Sequence, residues 1–308
     1  MNRSLLLRSP RILALGVRLD RTPAFGWLAL QLAALGPTWV WMGRRMADGS
    51  DDPLGALALA ALAVLSWQRR RSLSPSPRLG WLAAASIGTV AATLARTGAL
   101  EALGLPPLAA GLLAVLAMAA GLLAFLPRRS AAAPVLGLAV LALPLLSSMQ
   151  FYAGYPLRVV TAEASRWLLA PAFDVAREGS SLWIDSRLVI VDAPCSGVQM
   201  AWLAYFAACA VALSSGRDDR AFLARLPFVG LLVLTGNVLR NTVLVALEGA
   251  GRAPGEALHQ AIGLLVLACV CAAVCGLMAR GSRPMRHVRS AAASGSIHRS
   301  GGRHVDLA

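Results

Sequence analysis

Apolar runs of roughly 16 to 23 residues, set between short arginine-bearing connectors, recur along most of this chain. A helix crosses the hydrocarbon of a bilayer with about 20 apolar residues, within a range near 17–25. Inside lipid the backbone N–H and C=O groups must be satisfied internally, so runs of this length are read as membrane helices. Candidate spans fall at about 24–42, 53–68, 79–98, 106–126, 133–150, 195–214, 227–247 and 257–279. The second is short, and 11–19 is too interrupted by arginine to count. The expected fold class is an all-α polytopic membrane protein. It has about eight transmembrane helices, with a small external interfacial helix and hairpin. Composition agrees: 57% of residues are hydrophobic and 14% charged, against about 45–50% and 25% in soluble domains.

All 29 basic residues are arginine, and the net charge is +14. The arginines sit in short clusters between apolar stretches, the pattern of cytoplasmic loops rather than of a nucleic-acid-binding face. Alternate connectors carry Arg69, Arg70, Arg71 and Arg78, then Arg128 and Arg129, then Arg217, Arg220 and Arg225. The N-terminal segment and the tail after Arg280 fall on that same side, so both termini are expected in the cytoplasm. The opposite connectors are poorer: 99–105 has no arginine, 248–256 has only Arg252, and 43–52 offsets Arg44 and Arg45 with Asp48, Asp51 and Asp52. No removable signal peptide is expected. The Ser-, Gly-, Arg- and His-rich tail 281–308 has little to bury and is expected to be a disordered basic cytoplasmic segment.

One external connector, about 151–194, is long. Leu157 to Phe173 mixes charged residues with Val159, Val160 and Trp167, as a helix lying in the interface would. Leu182-Trp183-Ile184 and Leu188-Val189-Ile190-Val191 flank Asp185-Ser186 and read as a small hairpin. The chain then returns to the membrane at Asp192-Ala193-Pro194-Cys195-Ser196-Gly197.

This topology puts three reactive groups at one face. Cys195 starts the sixth span at its external end. Arg240 lies in the seventh, seven residues before Leu247 and so roughly 10 Å below that end. His259, the sole histidine outside the tail, opens the eighth. Each has a bland reading: four of the five cysteines lie in apolar runs as packing, and a boundary histidine is usually interfacial. An intramembrane arginine is harder to dismiss, since even insertion scales charge about 2.5–3.5 kcal/mol for it at a helix centre. Asn237 and Asn241 form a polar stripe near Arg240. A thiol at a helix N-terminus beside a guanidinium is biased toward thiolate. A histidine moves protons, and an arginine stabilises an oxyanion. Together they are the equipment of acyl transfer through a thioester.

At these residues the sequence resembles the exosortase/archaeosortase family. The pieces are Pro194-Cys195-Ser196-Gly197, Gly236-Asn237-Val238-Leu239-Arg240 and His259-Gln260-Ala261-Ile262-Gly263. They look like the family's Cys-Ser-Gly, Asn-x-x-Arg and His-x-x-x-Gly motifs, in order and on successive spans. Val175 to Val191 also resembles the family's external segment. The resemblance covers about 150–280 and divides the chain into N-terminal membrane helices (1–150), a catalytic half (151–280) and the tail (281–308). It implies a membrane thiol protease/transpeptidase of the inner membrane that cleaves C-terminal sorting signals, each a short motif, a transmembrane helix and a basic cluster, from exported proteins. Cys195 would be the nucleophile, Arg240 the charge stabiliser and His259 the acid/base. Ser196, Gly197, Asn237 and Asn241 would contact substrate. Membrane lipid and the exported proteins are the implied partners, with no cofactor, metal or nucleic acid. Asn241 stands where an apolar residue is more usual, which bears on substrate details. The rival readings are a transporter with Arg240 binding an anionic substrate, and a polysaccharide-export component without chemistry of its own.

Overall fold

The computed structural model describes residues 23–49, 53–98, 105–185, 187–190, 197–252 and 254–280. The expectations for the N-terminal segment, for the tail 281–308 and for Cys195 and Ser196 lie outside the described residues. The fold is mostly helical. In chain order the helices are α1 (Ala24–Ala34), α2 (Gly36–Ala47), α3 (Leu54–Arg69), α4 (Leu79–Arg96), α5 (Pro107–Phe125), α6 (Ala133–Leu141) and α7 (Leu146–Leu169). A small sheet follows, β1 (Val175–Glu178), β2 (Ser181–Ile184) and β3 (Arg187–Ile190), and then α8 (Val198–Ser214), α9 (Asp219–Leu223), α10 (Leu226–Gly249) and α11 (Glu256–Ala279).

Among the described residues, four helical stretches are long and apolar enough to cross a membrane: α4, α5, the α9–α10 stretch from Asp219 to Gly249, and α11. The bent pair α6–α7 makes a fifth if counted as one span. The other expected spans fall on shorter helices, and proline accounts for one of them. Pro37 lacks the N–H that would continue the ladder, and its ring clashes with the carbonyl four residues earlier. The run 24–42 is therefore two helices meeting at Leu35, with α2 carried on to Ala47.

Proline also reshapes the run 133–150. Pro144 falls where α6 would continue, and the chain turns by 94° into α7. The interfacial helix expected at 157–173 is thus the second half of a longer helix that starts at Leu146, before the expected domain boundary at 150. Two contacts seal the bend. The Trp202 indole donates to the carbonyl of Leu141 at 3.2 Å, and Gly55 lets α3 approach so closely that a Cβ there would stand 2.6 Å from the Ala142 carbonyl oxygen.

The expected hairpin is present as β2–β3, and β1 adds a third strand to make an antiparallel meander in the order β1-β2-β3. Gly179, at φ 60°, begins the two-residue turn between β1 and β2, a backbone conformation that glycine adopts without strain. Asp185 takes a positive φ of 46° at the next turn, where its carboxylate accepts from the Asp174 N–H at 3.2 Å. Strand alternation turns Leu182 and Ile184 inward. Both are fully buried against Ala162 and Leu169 of α7 and Val245 of α10, so the sheet roofs one end of the bundle.

Between lipid-facing helices there is little hydrophobic driving force, and close packing through small residues takes its place. Gly236 is the clearest case. A Cβ there would stand 2.5 Å from Val270 Cγ2, so α10 and α11 touch through the absence of a side chain. Gly236→Ala should lower the thermal unfolding midpoint in detergent, at a cost of about 1–3 kcal/mol for overpacking. Gly276→Ala on α11, where nothing lies within 4 Å of the new methyl, should be neutral or slightly stabilising.

Candidate active site

Three helices converge beneath the sheet. α10 and α11 run antiparallel, joined by a short connector, and α8 packs against both. α10 ends at Gly249, nine residues after Arg240, so at about 1.5 Å per residue Arg240 lies roughly 14 Å below the helix end, deeper than the expected 10 Å. α11 starts at Glu256, and His259 in its first turn is within reach of Arg240: Arg240 Nη2 stands 3.1 Å from His259 Nε2. A guanidinium has only donors. Nε2 is therefore the acceptor in this contact.

The glycines of the motifs explain the fit. Gly263 lies one turn after His259 on the same face, and a Cβ there would press on the Arg240 guanidinium at 3.3–3.4 Å. Gly197 caps α8 at φ 81°, and a Cβ there would meet the Asn237 amide carbon at 2.9 Å. Each motif glycine thus makes room for a polar motif residue on α10.

Asn237 and Asn241 are buried, at 2% and 4% exposure. Their amides reach across to α7: Asn237 Nδ2 donates to Thr161 Oγ1 at 3.1 Å, and Asn241 Nδ2 to Ser165 Oγ at 3.0 Å. Thr242 Oγ1 lies 3.1 Å from the same Ser165 hydroxyl. A polar i, i+4 pair on one helix therefore meets a polar i, i+4 pair on the other. Thr161 and Ser165 were missed in the sequence, although their spacing on an otherwise apolar face is a usable signal.

A cavity of about 690 Å³ opens beside the pair. Gly197, Gln199, Arg240, Glu256, His259 and Gln260 form its polar part, while Met200, Leu203, Leu264 and Leu267 continue it along α8 and α11. Gln260 Nε2 donates to Glu256 Oε1 at 2.6 Å at the rim. The structure therefore brings together Arg240, His259 and Gly197 of the expected site residues. It places Asn237 and Asn241 in the seam behind them rather than on the cavity wall. Of the other cysteines, Cys209 is buried against Gly137, and Cys269, Cys271 and Cys275 lie along α11 away from this mouth.

Residues 41–276 match the sequence profile of a family described as transmembrane exosortase. The chain belongs to that family. The match spans most of the chain and reaches well into the N-terminal helices, beyond the 150–280 in which the resemblance was legible. No curated protein and no solved structure matches the chain. Membership in the transmembrane exosortases implies a membrane protein engaged in sorting-signal processing in general terms.

The Asn237–Arg240 turn of α10 thus has two faces, one held by α7 and one facing His259. Thr161→Val or Ser165→Ala removes the acceptor from a buried amide. Each should cost about 0.6–1.7 kcal/mol, the range of interhelical hydrogen bonds within membranes. Thermal unfolding in detergent should show the loss. Equal midpoints for wild type and the Thr161→Val/Ser165→Ala double variant would deny the seam any role in holding α10.

Proposed function

We propose that this exosortase is a membrane-embedded thiol protease/transpeptidase that cleaves C-terminal sorting signals of exported proteins through a thioester on Cys195. The observation that carries the reading is the Arg240–His259 pair at 3.1 Å, in the wall of a cavity that also includes Gly197. Two peptide units separate Gly197 from Cys195, so their Cα atoms are within about 7.6 Å of one another by chain length alone.

The chemistry follows from these groups. His259 takes the thiol proton on Nε2 as the Arg240 guanidinium leaves that nitrogen for the forming oxyanion. The sulfur then attacks the scissile carbonyl, forming a C–S bond and an oxyanion that Arg240 stabilises. Collapse of the oxyanion breaks the C–N bond, and His259 returns the proton to the leaving amine. Water or an amine then attacks the thioester, restores the thiol and releases the processed protein. The apolar continuation of the cavity along α8 and α11 suits the start of a substrate's membrane helix. Asn237 and Asn241 are positioning residues in this reading, since they hold α10 against α7.

Uncleaved precursor, followed by mass in cells carrying each variant, tests the assignment. Cys195→Ala should abolish processing and Cys195→Ser should nearly do so, while Cys209→Ala and Cys271→Ala remain active. Arg240→Lys should fail substantially, because a point charge does not replace a planar fork. Full processing by Cys195→Ala, at normal expression and with no second exosortase in the cell, would remove the enzyme reading and favour the transporter.

The arginine asymmetry supports an eight-crossing arrangement in the inner membrane, with both termini cytoplasmic and the Arg240–His259 pair facing outward. Among variants otherwise lacking cysteine, Ser180→Cys, between β1 and β2, should react with an impermeant thiol reagent added outside. Ser214→Cys, at the far end of α8, should be protected. The opposite pattern would invert the topology.

A further inference from the structure

The end of the bundle opposite the Arg240–His259 pair carries a second polar cavity. The 17 residues of α8 separate the two, about 25 Å at 1.5 Å per residue. This cavity has a volume of about 390 Å³, within the usual range of ligand sites, about 300–1,000 Å³. Three connections each supply an arginine to its lining: Arg69 from the end of α3, Arg129 from the α5–α6 turn, and Arg217 from the α8–α9 turn. Leu65, Leu126 and Leu213 line it as well, and among the described residues no acidic residue does.

Arg217 is 4% exposed. Its Nε donates to the carbonyl of Met278 at 2.7 Å, and its Nη2 bonds the carbonyls of Met278 and Arg280, so it closes the C-terminal end of α11. Burial and the charge of nearby Arg225 both push its guanidinium downward, and Asp218 offsets only part of this. The carboxylates of the adjoining α9 face other partners: Asp218 accepts from the Ala221 N–H at the start of α9, and Asp219 accepts from the Ala133 N–H at 2.7 Å. Guanidiniums from three parts of the chain offer a phosphate charge-assisted hydrogen bonds from more than one side.

We propose that this cavity binds a phosphate-bearing anion, the headgroup of an anionic phospholipid, between Arg69, Arg129 and Arg217. The leucines beside the arginines favour a lipid over a free anion, because they offer apolar surface where the glycerol and first methylenes would lie. Basic hollows between membrane helices at the cytoplasmic side take anionic headgroups by this same chemistry. Because Arg217 also closes α11, a bound headgroup would brace the helix that carries His259 at its other end. The site does not depend on the thioester chemistry, and a failure of either reading leaves the other standing.

The test uses the full chain, purified and delipidated in detergent, with native mass spectrometry during titration by phosphatidylglycerol or phosphatidylcholine. A parallel arm records the thermal midpoint with inorganic phosphate. Arg217 stays intact in every variant, since its loss would also open the end of α11. Wild type should prefer phosphatidylglycerol about tenfold or more. Arg128→Gln, an exposed neighbour outside the cavity lining, should keep that preference, and Arg69→Gln/Arg129→Gln should lose it. Stabilisation by inorganic phosphate that the double variant loses, without any lipid preference, would sustain the anion site and assign it a free phosphate. The proposal is overturned if the double variant keeps the wild-type preference, if Arg128→Gln loses as much as the double variant, or if neither lipid nor phosphate binds selectively.

Discussion

A guanidinium half-buried within an apolar helix bundle must be met by other groups, because lipid offers it nothing in exchange for its water. Arg240 is met by the His259 imidazole at 3.1 Å, and the helices arrange themselves around that meeting. α11 must come close enough to present His259 one turn above a glycine. Gly236 permits that approach from the α10 side and Gly263 from the α11 side. Gly197 does the same for α8, whose first turn lies against the Asn237 amide. The short helix–helix distances that this contact requires are permitted by what is missing at three glycines.

Holding α10 in rotation is a separate task, and the bend at Pro144 accomplishes it. By turning 94° after α6, the chain lays α7 across α10 so that Thr161 and Ser165 receive the two asparagine amides. The same helix carries the sheet, since Ala162 and Leu169 form the floor on which Leu182 and Ile184 pack. Arg177 on β1 adds an ionic tie to α7 through Glu163, which Arg166 also bonds. One helix thus links the roof of the site to its wall. The far end of the bundle is organised around Arg217, which closes α11 through backbone carbonyls and lines the arginine-rich hollow.

Much of this was legible in the chain before any folding was considered. Runs of apolar residues near membrane length are sufficient to specify helices, because a backbone in lipid must satisfy its own hydrogen bonds. The order of the motifs on successive helices then places Arg240 and His259 at one end without any knowledge of their distance. Local chemistry also marked the β2–β3 hairpin, through alternation and the Asp185 turn. Three other features were not legible. Nothing in the run 133–150 says that Pro144 bends the chain rather than merely kinking it, because the outcome depends on Trp202 and Gly55 sealing the turn from other helices. β1, with Val175 its only half-buried residue, has no apolar alternation of its own and is a strand because β2 pairs with it. The asparagines read as contacts for substrate because a polar residue in a span signals function, but which way they face depends on the rotation of α10.

The sequence by itself determined the helical class, the grouping of arginines, and the order in which the cysteine, asparagine–arginine and histidine segments follow one another, since each depends on residue type and local spacing. Tertiary structure alone decided that Arg240 meets His259, that Asn237 and Asn241 turn toward α7, and that arginines from three distant connections share one cavity. Those outcomes rest on helix rotation and axial offset, which close contacts among Gly197, Gly236 and Gly263 set, and no periodicity along a single helix encodes them.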